Sequence, residues 1–216
     1  MGQIGLTRAY NSSNYHRLSY SPIVETIFNT TKLPAKQFSL ALSRDASKNG
    51  NGGVFTIGGL PSNTPAVNVS NNQPTSAALQ LFAAFSTTQP TFYSILVDNF
   101  FLAGTAYNPN QQIIIDSGAD AFEVPAATAK VMNSYWSPAP SSDGTLSCNA
   151  VLTKDIGITI GGRKYHVSSQ DLIGQGNDGS CYSLISSGSD ATGYLIGDPF
   201  LKNVVAVFNW EASSMQ

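Results

Sequence analysis

The chain has 216 residues, of which 42% are hydrophobic and only 11% charged, and 13 acidic against 11 basic residues give a net charge of −2. Charged residues are scarcer than the roughly 25% of an ordinary globular domain, and no basic cluster is present to displace phosphate counterions, which argues against nucleic acid or an anionic membrane as the partner. No apolar run approaches the length of a membrane span, and no signal peptide opens the sequence.

The first part of the chain begins with a short apolar fragment and a polar loop. "SPIVETIFNTTKLP" then predicts a helix that Ser21 caps, that has Pro22 at its first position and that ends before Pro34. Its predicted apolar face consists of Ile23, Val24, Ile27 and Phe28. "QFSLALSRD" and "GGVFTIGG" alternate as strands around the turn "ASKNGNGG", and residues 61–78 form a predicted polar loop.

The second part is predicted to be richer in strands. "TFYSILVDNFFLAG" and "QQIIIDSG" indicate two strands around the turn "TAYNPN", and "PAATAKVMNSYW" indicates a helix from Pro125. "DIGITIGGRKYHV" predicts a hairpin about Gly161 and Gly162, and "GYLIGDPFLKNVVAVFNWE" predicts two strands separated by Asp198 and Pro199. Short strands, glycine turns and two brief helices together favour a mainly β domain.

A carboxylate stands at the end of one of these strands. The isoleucines of "QQIIIDSG" stop at Asp116, and Ser117 and Gly118 turn the chain. An uncompensated buried carboxylate would be costly, so the position favours a functional group. The alternative is a tight turn with an aspartate cap. A following helix and a later apolar-apolar-glycine triplet, at residues 195–197, favour function.

Other chemistry-bearing residues are sparse. Cys148 and Cys181 lie in Ser/Gly-rich sequence, and on counting alone a disulfide and two free thiols are both open. Three N-glycosylation sequons favour the oxidising compartment, although some arise by chance in so polar a chain; they begin at Asn11, Asn29 and Asn68. The two histidines, His16 and His166, are too few and too isolated to predict a metal site, and no cofactor is predicted.

Four motifs in order resemble the C-terminal lobe of the pepsin-like aspartic proteases, most closely the fungal ones. "FSLALS" with "GGVFTIGGLP" is similar to the strand and hairpin that follow a helix beginning "SP", and "FYSILVDNFFLAG" to the strand upstream of the second catalytic aspartate. "IIIDSG" resembles that aspartate's own motif and "YLIGDPFLKNVVAVFN" the closing motif. The resemblance implies a mainly β fold, a single lobe of the pepsin-like acid protease fold with a few short helices. Residues 1–20 would be a remnant of the N-terminal lobe and connector, and residues 21–216 the C-terminal lobe.

The resemblance also implies a chemistry. Each lobe of such an endopeptidase contributes one aspartate, and the two carboxylates share a proton and activate the water that attacks the peptide carbonyl, usually at acidic pH, without metal or cofactor. Asp116 matches the second aspartate, Ser117 the residue that braces the two loops, and Gly118 the residue that lets the backbone turn towards the partner loop. The separation of the two cysteines matches the disulfide loop of that lobe. Secretion or a vacuolar location is implied as well.

Two departures from the family pattern shape the expectation. The D-[ST]-G motif occurs once, so the first aspartate and the flap are expected upstream of Met1, and "GQIGLTRAY" resembles the last piece of that lobe. Neither Asp198 nor the "DATG" at residues 190–193 fits the motif. Ala119 stands where the family has a hydroxyl that hydrogen-bonds the catalytic carboxylate, a bond worth roughly 1.5–3 kcal/mol, and Asp120 follows it. We therefore expect a truncated chain that is inactive alone.

Three functions follow from these expectations. The chain is one lobe of an aspartic endopeptidase that acts on polypeptides together with the missing N-terminal lobe. In a variant of this function, two copies bring Asp116 and its symmetry mate together on a two-fold axis. Alternatively, it is a non-catalytic pepsin-like protein that binds or inhibits a protein ligand, or an effector fragment.

Overall fold

The computed structural model of the protein describes residues 4–7, 17–43, 52–61, 77–78, 93–108, 110–188 and 194–216. These residues form mainly short strands, which confirms the predicted mainly β fold. The helices are α1 (Ile23–Thr30), α2 (Ala126–Asn133), α3 (Asp198–Leu201) and a 3₁₀ helix (Ser169–Leu172). The strands are β1 (Gln37–Leu42), β2 (Gly53–Ile57), β3 (Ala77–Ala78), β4 (Ser94–Val97), β5 (Asn99–Leu102), β6 (Thr105–Tyr107), β7 (Gln111–Ile115), β8 (Phe122–Val124), β9 (Trp136–Ser137), β10 (Thr145–Leu146), β11 (Val151–Leu152), β12 (Ile156–Ile160), β13 (Arg163–His166), β14 (Ile173–Gln175), β15 (Cys181–Ser183), β16 (Ile185–Ser187), β17 (Tyr194–Ile196), β18 (Val205–Asn209) and β19 (Ser214–Met215).

Helix α1 forms where the sequence predicts it but begins differently. Pro22 occupies the N-cap position, Ile23 is the first helical residue and no side chain caps the helix, so the predictions that Ser21 caps it and that Pro22 is its first residue are both wrong. Of the predicted apolar face, Val24 and Phe28 are buried, whereas Ile23 is 51% exposed. The ring of Phe28 lies 5.6 Å from the ring of Trp210, near the end of the chain. One narrow stripe therefore attaches α1 to the core.

The two alternating strands after α1 form one sheet, as predicted. Strand β1 pairs with β2 on one side and with β18 on the other, in the order β2-β1-β18-β19-β3. Phe38 on β1 and Phe208 on β18 are directly opposite each other, and their rings stack at 4.5 Å between centroids. This aromatic pair joins the start of the lobe to its end.

The predicted single strand before Asp116 is two strands. Strand β4 pairs with β7, whereas β5 pairs with β12 in a different sheet. The break falls at Asp98, whose backbone N–H donates to the carbonyl of Thr159 at 2.9 Å and whose side chain accepts from the backbone N–H of Gly162 at 2.6 Å. The sequence marks this break only by Asp98 and Asn99 between two apolar runs, which does not show that the runs pair in different sheets. The predicted turn "TAYNPN" also contains a strand, β6, which pairs with β5.

In the second half, α2 and the β12–β13 hairpin agree with the sequence. Gly161 and Gly162 at the hairpin turn have φ of 57° and 77°, the left-handed region that glycine adopts at little cost. The segment between β17 and β18 is a helical turn, α3, rather than the predicted simple break, with Pro199 near its start. No helix in the part of the chain that the structure describes is long and apolar enough to cross a membrane.

A disulfide joins Cys148 to Cys181 with a Cα–Cα distance of 5.2 Å, as the resemblance implies. Cys181 lies on β15, directly opposite Leu146 of β10. Leu146 is buried in the hydrophobic core. The disulfide thus links β15, the middle strand of the three-stranded sheet β10-β15-β14, to the segment that follows β10.

Candidate active site

The aspartate of the D-S-G motif lies at the end of a central strand. Strand β7 runs inside a five-stranded sheet of order β16-β8-β17-β7-β4, parallel to β17 and antiparallel to β4. Ile113 and Ile115 belong to the hydrophobic core, so the strand is held from below by packing and from both sides by backbone hydrogen bonds. Asp116 follows at the carboxyl end of this rigid support and is half-buried.

Backbone hydrogen bonds tie the loop after β7 to the loop after β17. The N–H of Asp116 donates to the carbonyl of Ile196 at 3.0 Å, and the N–H of Asp198 donates to the carbonyl of Ala119 at 2.9 Å. The N–H of Gly197 donates to the carbonyl of Ala121 at 3.0 Å. Two loops far apart in sequence therefore form one unit, and the position of the Asp116 carboxylate depends on both.

The carboxylate of Asp116 is oriented by its own turn. Its Oδ1 accepts a hydrogen bond from the backbone N–H of Gly118 at 2.8 Å. A Cβ on Gly118 would come within 3.2 Å of that oxygen, and the φ of this glycine is not among the positive values, so glycine leaves space for the carboxylate rather than allowing a left-handed turn. Ser117 is exposed. Ala119 supplies no hydroxyl to the carboxylate.

Comparison with known proteins shows to which family the chain belongs. The family model of the eukaryotic aspartyl proteases matches residues 1–216. The chain belongs to the eukaryotic aspartyl protease family. It is 30% identical over 98% of its length to a probable aspartic-type endopeptidase of Aspergillus fumigatus, of which it covers 50%. It is 28% identical over 78% of its length to rhizopuspepsin-1 of Rhizopus niveus, of which it covers 40%.

The chain therefore spans about half the length of the fungal relatives it matches. The resemblance to pepsin-like proteases that the four motifs carry is confirmed, and so is the pepsin-like lobe as the fold. The aspartyl protease match includes the D-S-G turn, which makes Asp116 the candidate catalytic residue of this lobe.

Asp198 is a further carboxylate near Asp116, and although the sequence showed that it does not fit the D-[ST]-G motif, its proximity to Asp116 was not predicted. Asp198 is the first residue of α3, immediately after the Gly197 that contacts the Asp116 loop. Burial raises the pKa of Asp198, the positive charge of Lys202 opposes this, and the negative charges of Asp120 and Asp116 add to the increase. The "LIGD" sequence that precedes α3 was the available signal, because it brings this aspartate to the end of a strand adjacent to β7.

Replacing Asp198 with Asn is expected to flatten the pH dependence of stability. Because the pKa of Asp198 is raised in the folded protein, the protonated carboxyl stabilises the fold relative to the unfolded chain. This contribution to the free energy of unfolding is complete below the ordinary pKa of 3.8 and is lost as the pH rises through the raised pKa. An amide stays neutral, so the variant should be more stable than wild type at pH 7 and similar at pH 3. The free energy of unfolding in urea at both values measures this, with the exposed Asp155→Asn as the control. If Asp198→Asn instead lost more unfolding free energy at pH 7 than at pH 3, the attraction of Lys202 for the ionised carboxylate would outweigh the cost of its burial.

The remaining predicted residues fall into two groups. Asn29 is exposed at the end of α1. Asn11, Asn68 and the "DATG" segment at residues 190–193 lie outside the described residues. Within the described ranges, no group of three or more His, Cys, Asp or Glu side chains is arranged to hold a metal ion.

Proposed function

We propose that this chain is one half of an aspartic endopeptidase and that Asp116 is its contribution to a pair of catalytic carboxylates. The observation that carries the proposal is the position of Asp116 at the end of β7, half-buried, oriented by Gly118 and fixed through the backbone to the loop after β17. Such rigid support suits a group that must hold a reacting water within hydrogen-bond distance.

The reaction needs a second carboxylate, because a shared proton lets one acid act as base while the other acts as acid. With one carboxylate ionised, the pair removes a proton from water, and the resulting hydroxide attacks the scissile carbonyl of a polypeptide. The second acid then protonates the departing amine. The D-[ST]-G motif occurs once in this sequence, so we infer that the second carboxylate comes from an N-terminal lobe or from a second copy of the chain.

We further propose a secreted or vacuolar location in a fungus. The Cys148–Cys181 disulfide supports it, because structural disulfides persist in oxidising compartments. The relatives reported above are fungal proteins.

Ala119 favours a second candidate function, that of a non-catalytic pepsin-like protein that binds a protein ligand. Among the residues that the structure describes, the Asp116 carboxylate accepts one hydrogen bond, from Gly118. A hydroxyl at position 119 would add another, worth roughly 1.5–3 kcal/mol to the ionised form. A lobe without this bond can keep its fold while the ionised form of its carboxylate is less strongly stabilised.

Complementation separates these functions. The chain would be co-expressed with the N-terminal half of the Aspergillus fumigatus relative, and hydrolysis of an unfolded protein followed from pH 2 to 7 with and without a transition-state-like peptide inhibitor. We expect inhibitor-sensitive hydrolysis at acidic pH from the combination and none from the chain alone. Activity of the chain alone that rises with the square of its concentration would indicate the two-copy enzyme. A stable complex of the two halves without hydrolysis would overturn the catalytic proposal and favour the binding protein.

A further inference from the structure

The last turn of α1 carries a surface that the proposed peptidase activity does not use. Asn29, Thr30, Thr31 and Lys32 are four consecutive exposed residues. The buried side of the same helix ends with Phe28, which is 3% exposed. A large substituent on Asn29 would therefore extend into solvent without displacing any residue of the core.

The hydroxyl groups of this turn differ in their availability. The hydroxyl of Thr30 donates to the carbonyl of Thr26 at 2.8 Å and is used within the helix. Thr31 has left the helix, with φ of −116° and ψ of 135°, and its backbone N–H donates to Ile27. In the part of the chain that the structure describes, neither the Thr31 hydroxyl nor the Asn29 amide has a hydrogen-bond partner. The two side chains that define an Asn-X-Thr sequon are thus both presented to solvent.

We propose that Asn29 is a site of N-linked glycosylation. The Asn29-Thr30-Thr31 sequence is the acceptor pattern, and a sugar at such a site is bulky and requires a surface position. The Cys148–Cys181 disulfide belongs to the same oxidising compartment in which this modification takes place. The inference rests on the secreted or vacuolar location proposed above and is independent of catalysis.

The transfer requires an oligosaccharide linked through pyrophosphate to a polyisoprenoid lipid. A bond forms between Nδ2 of Asn29 and the anomeric carbon of the first sugar, while the bond from that carbon to the lipid pyrophosphate breaks. The lipid pyrophosphate leaves, and Nδ2 loses one proton. The hydroxyl of Thr31 is the second element of the acceptor, so its removal must abolish the reaction even though Asn29 itself is unchanged.

The test uses the full chain behind a cleavable leader, translated with endoplasmic-reticulum microsomes and also secreted from yeast. In wild type we expect the peptide containing Asn29 to carry a sugar that an endoglycosidase removes, as measured by peptide mass spectrometry. Thr31→Ala and Asn29→Gln should each abolish modification of this peptide and raise electrophoretic mobility by one step. Thr31→Ser preserves the acceptor, and Thr30→Ala changes only the middle residue, so both should remain modified. The microsome reaction shows whether Asn29 is glycosylated even where a variant folds poorly.

An unmodified Asn29 peptide in a chain that is secreted with its disulfide formed would overturn the proposal and leave the proposed location intact. Retention of the sugar on this peptide in Thr31→Ala would also overturn it, because the linkage would then not depend on the acceptor pattern. Neither result bears on the peptidase assay.

Discussion

Asp116→Asn is expected to lower kcat of the complemented two-lobe enzyme by about 100- to 10,000-fold, the usual contribution of a positioned general acid or base, with little change in KM. Asn has the shape of Asp, and its side-chain oxygen can still accept the hydrogen bond that Gly118 donates at 2.8 Å. The amide cannot take a proton from water, so the nucleophile is not generated. The measurement is steady-state hydrolysis of a peptide substrate near the pH optimum.

The matched control for this prediction is Asp155→Asn, which removes an equal charge from an exposed position. Asp155 lies beside His166 at 3.9 Å, and both side chains are largely exposed. We expect its kcat to remain close to wild type. If Asp116→Asn kept most of its activity, as Asp155→Asn is expected to do, Asp116 would not be a catalytic residue of the complemented enzyme.

Gly197→Ala is expected to destabilise the protein by roughly 2–3 kcal/mol, within the usual range for overpacking a well-packed site. A Cβ at this position would lie 2.7 Å from the carbonyl carbon and 2.9 Å from the Cβ of Ala119, and closer still to its carbonyl oxygen. These atoms belong to the loop that holds Asp116, so the backbone must move. Urea denaturation measures the loss of stability, and the same displacement should lower kcat.

Gly59→Ala provides the comparison for Gly197→Ala. No atom lies within 4 Å of a Cβ built on Gly59, and its backbone is outside the left-handed region. We expect a change in unfolding free energy of less than about 0.5 kcal/mol there, as for ordinary surface substitutions. Equal effects of the two alanines would show that the contact between Gly197 and Ala119 does not constrain the site.

The elements that the sequence predicts well are those whose own residues decide the structure. The sequences of β1 and β2 alternate in polarity, although Phe38 to Ala41 of β1 are all buried in the fold. Pro22 and Pro34 bracket α1, and Gly161 with Gly162 forms the hairpin turn. The break at Asp98 could not be predicted, because each side of it pairs with a different distant strand. The two- and three-residue strands between α2 and β17 are too short to produce a recognisable period.

The candidate site likewise contains one residue that the sequence predicts, Asp116, and one whose place beside it the sequence does not predict, Asp198. Asp116 was predicted because its motif is local: an apolar strand, an aspartate and a glycine turn. Asp198 was not recognised as its neighbour, since their proximity requires β17 to lie parallel to β7, a pairing that depends on the whole sheet. The repulsion between the two carboxylates results from that strand pairing, so it cannot be predicted from the order of residues along the chain.

The parallel pairing of β7 with β17 also bears on how the protein is made. A nascent chain emerges from the ribosome with β7 long before β17, and β8 to β16 must be synthesised between them. Until then, the isoleucines of β7 lack their neighbour on one side, and Asp116 has no Ile196 carbonyl to meet its N–H. Distant strand pairings are slow to close and expose apolar segments meanwhile. The loop that carries Asp116 is consequently complete only after β17 has been synthesised and has paired with β7.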